Sequence, residues 1–509
     1  MLLISLISNF LRILLWPVSA LRRARAAPRG GYVTVELDGS VVDLPPRRAR
    51  LEFLRRPGPA PTALSTLREL ARLVAHDDRV AGLLFRVSAL SAGPAVLASL
   101  RDLLSEVRAS GKDVVVHLPT GADTQSLYVA SAARMIVVGP ETLVAPLGYA
   151  VHGRYVKSAL TRAGVEAEVF AKGMYKSAGE ALVRDTMSDA QREQLGALLE
   201  AHHDELVSAL ARGRRVDRDT ARRWIDEAPH GADRAVALGI VDAVAYDDEL
   251  AQRITGSAPL KTVTARRYLS ARRAGAFRPL LRPPVIGVIE IHGAIVSRAR
   301  FGFAKLASED RVVGAIRAAR RSSAVRGAVL HIDSRGGSAV ASNRIHHEVM
   351  RLAEVKPVVA YMADVAASGG YYIASAAHAI VAQPQTVTGS IGVIATRLVV
   401  APLLERLGVF TSVVKRGARA DLFSTARHLD EGERASFERE LEAFYQTFLA
   451  AVAKGRGRSI EEIEPLARGR IYSGTEAHAR GLLDHLGGFD RAVHAVRDLL
   501  GQAGKGLDP

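Results

Sequence analysis

The chain contains no cysteine. That excludes disulfides, thiolate zinc sites and a cysteine nucleophile, whatever the compartment. It also lacks a His-Glu-x-x-His pair, and it has no Walker loop, Gly-x-Ser-x-Gly elbow or dinucleotide fingerprint in a fitting context. The paired histidines His202-His203 and His346-His347 have no metal-type spacing and read as solvated positions on helices. No metal and no cofactor is therefore expected. The net charge is +16, but much of the basic excess sits in two short stretches, 22–29 and 266–282. Neither carries an aromatic-rich basic motif, so the excess points to an anionic membrane surface and not to nucleic acid.

What is present is a folded chain of 509 residues with 48% hydrophobic content, long enough for two or three domains. Residues 1–20 are mostly apolar, and Arg22, Arg23, Arg25 and Arg29 follow. About 20 apolar residues suffice to span a bilayer. Asn9 and Arg12 interrupt the run, so an interfacial amphipathic helix is the competing reading. No Lys or Arg precedes the run, as a cleavable signal peptide would require, although Val18-Ser19-Ala20 is a small-residue site. The expectation is an N-terminal membrane-associated helix whose orientation stays open.

The chain is internally repeated. Tyr128-Val129-Ala130-Ser131-Ala132-Ala133 falls on Tyr372-Ile373-Ala374-Ser375-Ala376-Ala377, a separation of 244 residues, and Pro140, Thr142 and Gly148 fall on Pro384, Thr386 and Gly392 at the same separation. Each half opens with a β-rich strand, 32–37 or 286–291. A helix follows, patterned by Leu64, Leu67, Leu70 and Leu73 or by Val312, Val313 and Ile316. Buried-type strands come next at 82–87 and 114–118, and again at 327–332 and 358–362. This alternation predicts α/β architecture with parallel sheets. A long helix closes each half, opened by Ser188-Asp189-Ala190-Gln191 or by Asp430 with Glu433. The expected organisation is a membrane segment 1–20, an N-terminal repeat 31–256, a basic linker 257–284 and a C-terminal repeat 285–500.

The two halves keep different residues. Ser368-Gly369-Gly370 stands where the first half has Thr124-Gln125-Ser126, and Lys176 stands where the second half has Ala420. A serine before Gly-Gly at the start of a helix sits where free N–H groups and the helix dipole favour negative charge. An ordinary N-cap serine reads the same way. Asp333-Ser334-Arg335-Gly336-Gly337-Ser338 ends a strand, and such a turn either aims N–H groups at an oxyanion or is simply tight. Lys176 lies among Met174, Ser177 and Ala178; burial would bring its pKa towards neutrality, whereas most lysines lie on the surface. One composite Ser–Lys site, assembled from complementary halves, is the expectation.

Four segments, in this order and with the duplication, resemble the long, two-repeat form of the bacterial signal peptide peptidase A (protease IV) family. They are Tyr175-Lys176-Ser177-Ala178, Asp333 to Ser338, Ala367-Ser368-Gly369-Gly370-Tyr371-Tyr372, and Thr388-Gly389-Ser390-Ile391-Gly392. The resemblance spans roughly residues 1–500. It implies a tandem of two Clp protease/crotonase-like units and a serine endopeptidase that degrades cleaved signal peptides. By the same resemblance Ser368 is the nucleophile, Lys176 the base, Gly336 and Gly369 the oxyanion donors, and Ser390 the residue that orients the lysine. The implied partners are apolar peptides, a membrane and further copies of the chain. The implied location is the inner membrane, with the catalytic domains on the periplasmic or outer face. The chain departs from the family in two places: Arg335 stands where the family has proline, and the first half is compact around 41–61. Two alternatives remain at this stage, a non-proteolytic membrane scaffold and a crotonase-like acyl-thioester enzyme, the latter requiring an acidic catalytic residue near the cleft.

Overall fold

The computed structural model describes residues 10, 29–45, 61–256, 258–274, 283–298, 306–504 and 506–507. The expected membrane segment 1–20 therefore lies outside the described residues, save Phe10, and most of the compact stretch 41–61 does too. Among the described residues, no helix is long and apolar enough to cross a membrane.

The chain forms two compact units, and the division does not follow the sequence halves. The first unit comprises residues 1–149 and 203–283; the second comprises 150–202 and 284–509. The helix Asp189–Arg214 contains the boundary. The segment with Lys176 thus belongs to the unit that holds Ser368, not to the unit built from the rest of its own half.

The first unit is a parallel sheet in the order Ala243–Val244, Met135–Val138, Asp113–Leu118, Val80–Ser91, Gly31–Val42, Thr262–Thr264. The leucine-patterned helix Leu64–Ala75 buries Leu64, Leu67, Leu70 and Val74, as a period of 3.6 requires. The stretch expected as linker contributes to this unit. Thr262–Thr264 pairs with Tyr32–Thr34, and the helix Ala265–Arg273, capped by Thr264, buries Tyr268 and Leu269. The Arg- and Ala-rich composition hid three core residues, Val263, Tyr268 and Leu269.

The second unit repeats this order. Val285–His292, Val325–Ser334, Val358–Ala367, Ala379–Ala382 and His485–Leu486 lie side by side and parallel. Val387–Gly389 pairs with the far end of Val358–Ala367 and, antiparallel, with Ile471–Ser473. The closing helix Glu431–Arg456 begins at a capping box between Asp430 and Glu433. A Cβ on Gly455 would stand 2.0 Å from the Ser375 carbonyl oxygen, so glycine lets this helix press against the one that follows Ser368. Arg456 holds Asp484 at 2.6 Å, while Asp484 accepts the Ile380 N–H. Arg214, Asp242 and Ile136 make the same arrangement in the first unit.

The histidine pairs are not uniformly solvated as expected. His346 and His202 are buried, whereas His347 is exposed and His203 half-buried. On the helix Ala339–Ala353, His346 shares the inward face with Ser342, Ile345, Val349 and Leu352, against the ring of Tyr372. Burial, aided by Lys454, pushes its pKa down to about 4.

Candidate active site

The strand Val358–Ala367 ends in Ser368, and the helix Gly369–Ala374 starts at once. Ser368 has φ 53° and ψ −119°, a region that non-glycine residues occupy only under constraint. Its N–H donates to the Gly389 carbonyl at 2.9 Å and its carbonyl accepts the Tyr372 N–H at 2.8 Å, which fixes the strained turn from both sides. The side chain does not cap its own helix. Its hydroxyl therefore stays available to other groups.

Lys176 is 7% exposed. Its Nζ lies 3.1 Å from Ser368 Oγ, 2.8 Å from the Ser390 carbonyl oxygen and 2.9 Å from Ser390 Oγ. Among the described residues, no carboxylate compensates its charge. Desolvation alone lowers its pKa from 10.5 to about 8. A neutral amine has two N–H donors and one lone pair. The two Ser390 acceptors match the donors, which leaves the lone pair for the Ser368 hydroxyl proton. Ser390 itself holds φ 52° and donates its N–H to the Arg470 carbonyl.

The lysine loop is tied down by groups that sequence reasoning did not single out. Tyr175 N–H donates to the Arg468 carbonyl at 2.9 Å. The buried amide of Gln194 donates to Tyr175 O at 2.9 Å and to Ser177 Oγ at 3.1 Å, and accepts the Ile471 N–H at 3.2 Å. A Cβ on Gly469 would stand 2.6 Å from Lys176 Cβ, so only glycine fits there. These partners lie far away in sequence and carry no motif. Met174, beside the lysine, is 62% exposed, so its neighbourhood is not what buries Lys176.

The glycine turn lies against the serine. A Cβ on Gly336 would stand 2.7 Å from Gly369 N and 2.9 Å from Ser368 Cβ. Gly369 opens its helix, so its N–H has no partner within that helix. The Gly336 N–H donates to Ser334 Oγ at 3.1 Å, and that hydroxyl donates to the Gly293 carbonyl at 2.7 Å. The backbone beside Gly337 is bridged on one side. Ile295 N–H donates to Gly336 O, and Ser338 N–H to Ile295 O. Arg335 is exposed at this turn.

Beside Ser368 is a cavity of about 250 Å³. Gly337, Ser338 and Ala339 line one part of it and Gly392, Val393 and Ile394 another; Tyr372, Phe444 and Phe448 supply aromatic surface. Among the described residues, no carboxylate lines it. Among the described residues, no cluster of His, Asp and Glu could hold a metal ion.

A hydroxyl, an amine base and a free helix-terminal N–H meeting at one point are the parts of an acyl-transfer hydrolase. The profile of Peptidase family S49 matches residues 106–261 and 350–503, once in each repeat, and the chain belongs to that family. It is a serine peptidase. The chain is 30% identical over 475 residues to "Serine protease SPPA, chloroplastic" of Arabidopsis thaliana, covering 91% of this chain and 68% of the relative. It is 30% identical over 490 residues to "Protease 4" of Salmonella typhi, covering 92% and 78%. A shorter match, 36% identical over 175 residues, is to "Putative signal peptide peptidase SppA" of Enterococcus faecium, covering 34% of this chain and 51% of the relative. Among solved structures, a ClpP1 mutant from Listeria monocytogenes aligns over 40% of this chain and 93% of its own at 16% identity, with a TM-score of 0.28.

Proposed function

We propose that this chain is a membrane-associated endopeptidase that degrades cleaved signal peptides through a Ser368–Lys176 dyad. The observation that carries the reading is the environment of Lys176: a desolvated amine with two acceptors from Ser390 and a third neighbour in Ser368 Oγ. Neutral Lys176 takes the hydroxyl proton as Ser368 attacks the scissile carbonyl. The resulting ammonium returns that proton to the leaving amine, and water then hydrolyses the acyl-enzyme by the same route. Gly369 N–H holds the oxyanion first. Gly336 N–H joins it by exchanging the Ser334 hydroxyl for the oxyanion, the stronger acceptor.

An extended peptide would run between 337–339 and 392–394 with one side chain in the cavity. The apolar lining favours aliphatic or aromatic residues, which fits the apolar core of a signal peptide. The printed name of the Enterococcus faecium relative supports that substrate class. The apolar segment 1–20 and the arginines after it would hold the enzyme at the inner membrane; by family resemblance the catalytic units would face outward, against the cytoplasmic bias of those arginines. A crotonase-like acyl-thioester reaction needs an acid at the cleft, and the cavity lining offers none.

A fluorophosphonate probe and a synthetic signal-peptide remnant test this together. Wild type is expected to be labelled and to cleave the peptide; Ser368→Ala is expected to do neither while keeping its circular dichroism and melting temperature. Undiminished cleavage by Ser368→Ala would overturn the proposal. Labelling without cleavage of any apolar peptide would overturn the substrate assignment.

A further inference from the structure

On one face of the first unit's sheet, a row of charged side chains lies where the second unit has aromatic rings. Glu36 is the ladder neighbour of Arg86, and Arg86 is the ladder neighbour of His117. The same row in the second unit is Glu290, His331 and Tyr361. Asp247 follows Asp242 by five residues, as Phe489 follows Asp484, and these two aspartates make equivalent contacts to their sheets. His331, Tyr361 and Phe489 therefore stand at the places of Arg86, His117 and Asp247. Their rings pack together, with centroids 5.2 to 5.9 Å apart.

The charged trio does not fill the same space. It lines a cavity of about 300 Å³, to which Leu84, Leu250 and Leu260 add apolar surface. Arg86 pairs with the exposed Asp247. His117 is 1% exposed; Asp247 Oδ1, 3.4 Å from its Nδ1, and the Ala245 backbone lie near the ring. Among the described residues, however, neither ring nitrogen of His117 completes a hydrogen bond, and neither does Arg86 Nε, although all three atoms are buried. Buried polar groups are ordinarily satisfied by protein, water or a ligand. Burial lowers the pKa of His117, so its ring is neutral at pH 7 and offers one N–H and one lone pair.

We propose that this cavity binds a small aliphatic zwitterion, a free amino acid of the leucine type. The lining decides the class. Two carboxylates, Glu36 and Asp247, flank one guanidinium, so a simple anion is repelled. A simple cation leaves Arg86 Nε and the His117 N–H unpaired. A zwitterion answers both. Its carboxylate accepts from those two N–H donors, and its ammonium faces Glu36 and Asp247. The leucines cover its aliphatic side chain. Every lining residue belongs to the first unit, whereas Ser368, Lys176 and Ser390 belong to the second. The site is thus separate from the dyad and independent of the catalytic reading.

Isothermal titration of the full-length protein with L-leucine tests this. L-Leucine is expected to bind. Leucinamide, which lacks the carboxylate, and isocaproate, which lacks the ammonium, are expected to bind about tenfold or more weakly than leucine. His117→Tyr combined with Asp247→Phe installs the second unit's rings at two of the three positions. It is expected to abolish binding and to keep the circular dichroism of wild type. Glu36→Gln, at the exposed rim, keeps the side-chain shape and removes a charge. It is expected to weaken leucine binding and leave isocaproate binding unchanged, and it carries the test should the double variant fail to fold. No heat from wild type with about 10 mM leucine would mean that the cavity holds water only and would overturn the proposal. Equal binding by the folded double variant, equal binding of leucine and leucinamide, or displacement of leucine by equimolar inorganic phosphate would overturn it as well.

Discussion

Replacing Lys176 by methionine removes the amine and keeps the approximate length of the side chain. The wild-type amine has a pKa of about 8 against 10.5 for an ordinary lysine. At pH 7 it is neutral in roughly one molecule in ten. If the neutral amine is the base, wild-type kcat/KM should rise about tenfold between pH 7 and pH 9 and then level off. The same shift appears in stability. A lysine whose pKa is lowered by folding binds fewer protons in the folded state than in the unfolded state. Its burial therefore costs most below pH 8; the cost fades between pH 8 and 10.5 and vanishes above. At 1.36 kcal/mol per pKa unit the full cost is about 3 kcal/mol. Lys176→Met escapes it but loses hydrogen bonds to Ser390 worth about 1 kcal/mol each. The two contributions oppose each other at pH 7, so the change of the offset with pH carries the test. Wild type should gain on Lys176→Met by most of about 3 kcal/mol between pH 7 and pH 10. A pH series with a fluorogenic peptide, and denaturant unfolding of both proteins at the two pH values, read these quantities. A rate plateau already reached below pH 7, a rate still climbing at pH 10, or a pH-independent stability gap would refute the reasoning.

Ser368→Gly should be inactive yet about 1 kcal/mol more stable than Ser368→Ala, because only glycine relaxes φ 53°; denaturant midpoints of the two variants check this. Gly336→Ala should lower kcat by about 10²–10³-fold, since its Cβ would stand 2.7 Å from Gly369 N and disturb the oxyanion pocket; an unchanged kcat would remove Gly336 from it. Gln194→Leu strands the Ile471 N–H and frees the lysine loop, and should cost about 1–3 kcal/mol of stability and lower kcat more than it raises KM. Ile394→Asp should shift cleavage-site profiles away from aliphatic residues; a wild-type preference for Asp or Glu beside the cleaved bond, lost in Arg335→Pro, would instead show that the exposed Arg335 sets specificity.

The sequence alone determined the duplication, the alternation of strands and helices, and the unequal loss of residues between the halves. These are local or periodic signals. A strand of Val and Ile, a helix spaced by Leu64, Leu67 and Leu70, or Ser368 before two glycines is visible along the chain itself. The tertiary structure decided what depends on approach between distant segments. Nothing local in 150–202 says that it completes the unit of the other half; that follows from the ladder between Glu166–Lys172 and Val393–Val399. Ser390 meets Lys176 through its carbonyl as well as its hydroxyl, and the Gly336 N–H is already engaged by Ser334, because backbone direction is set by the folded turns. The Arg-rich stretch after residue 257 hides a sheet strand and a packed helix, and His346 lies inward, because burial depends on which face a neighbouring element covers. The lowered pKa of Lys176 has the same origin. Desolvation is a property of the closed fold, and no residue beside Lys176 in the chain encodes it.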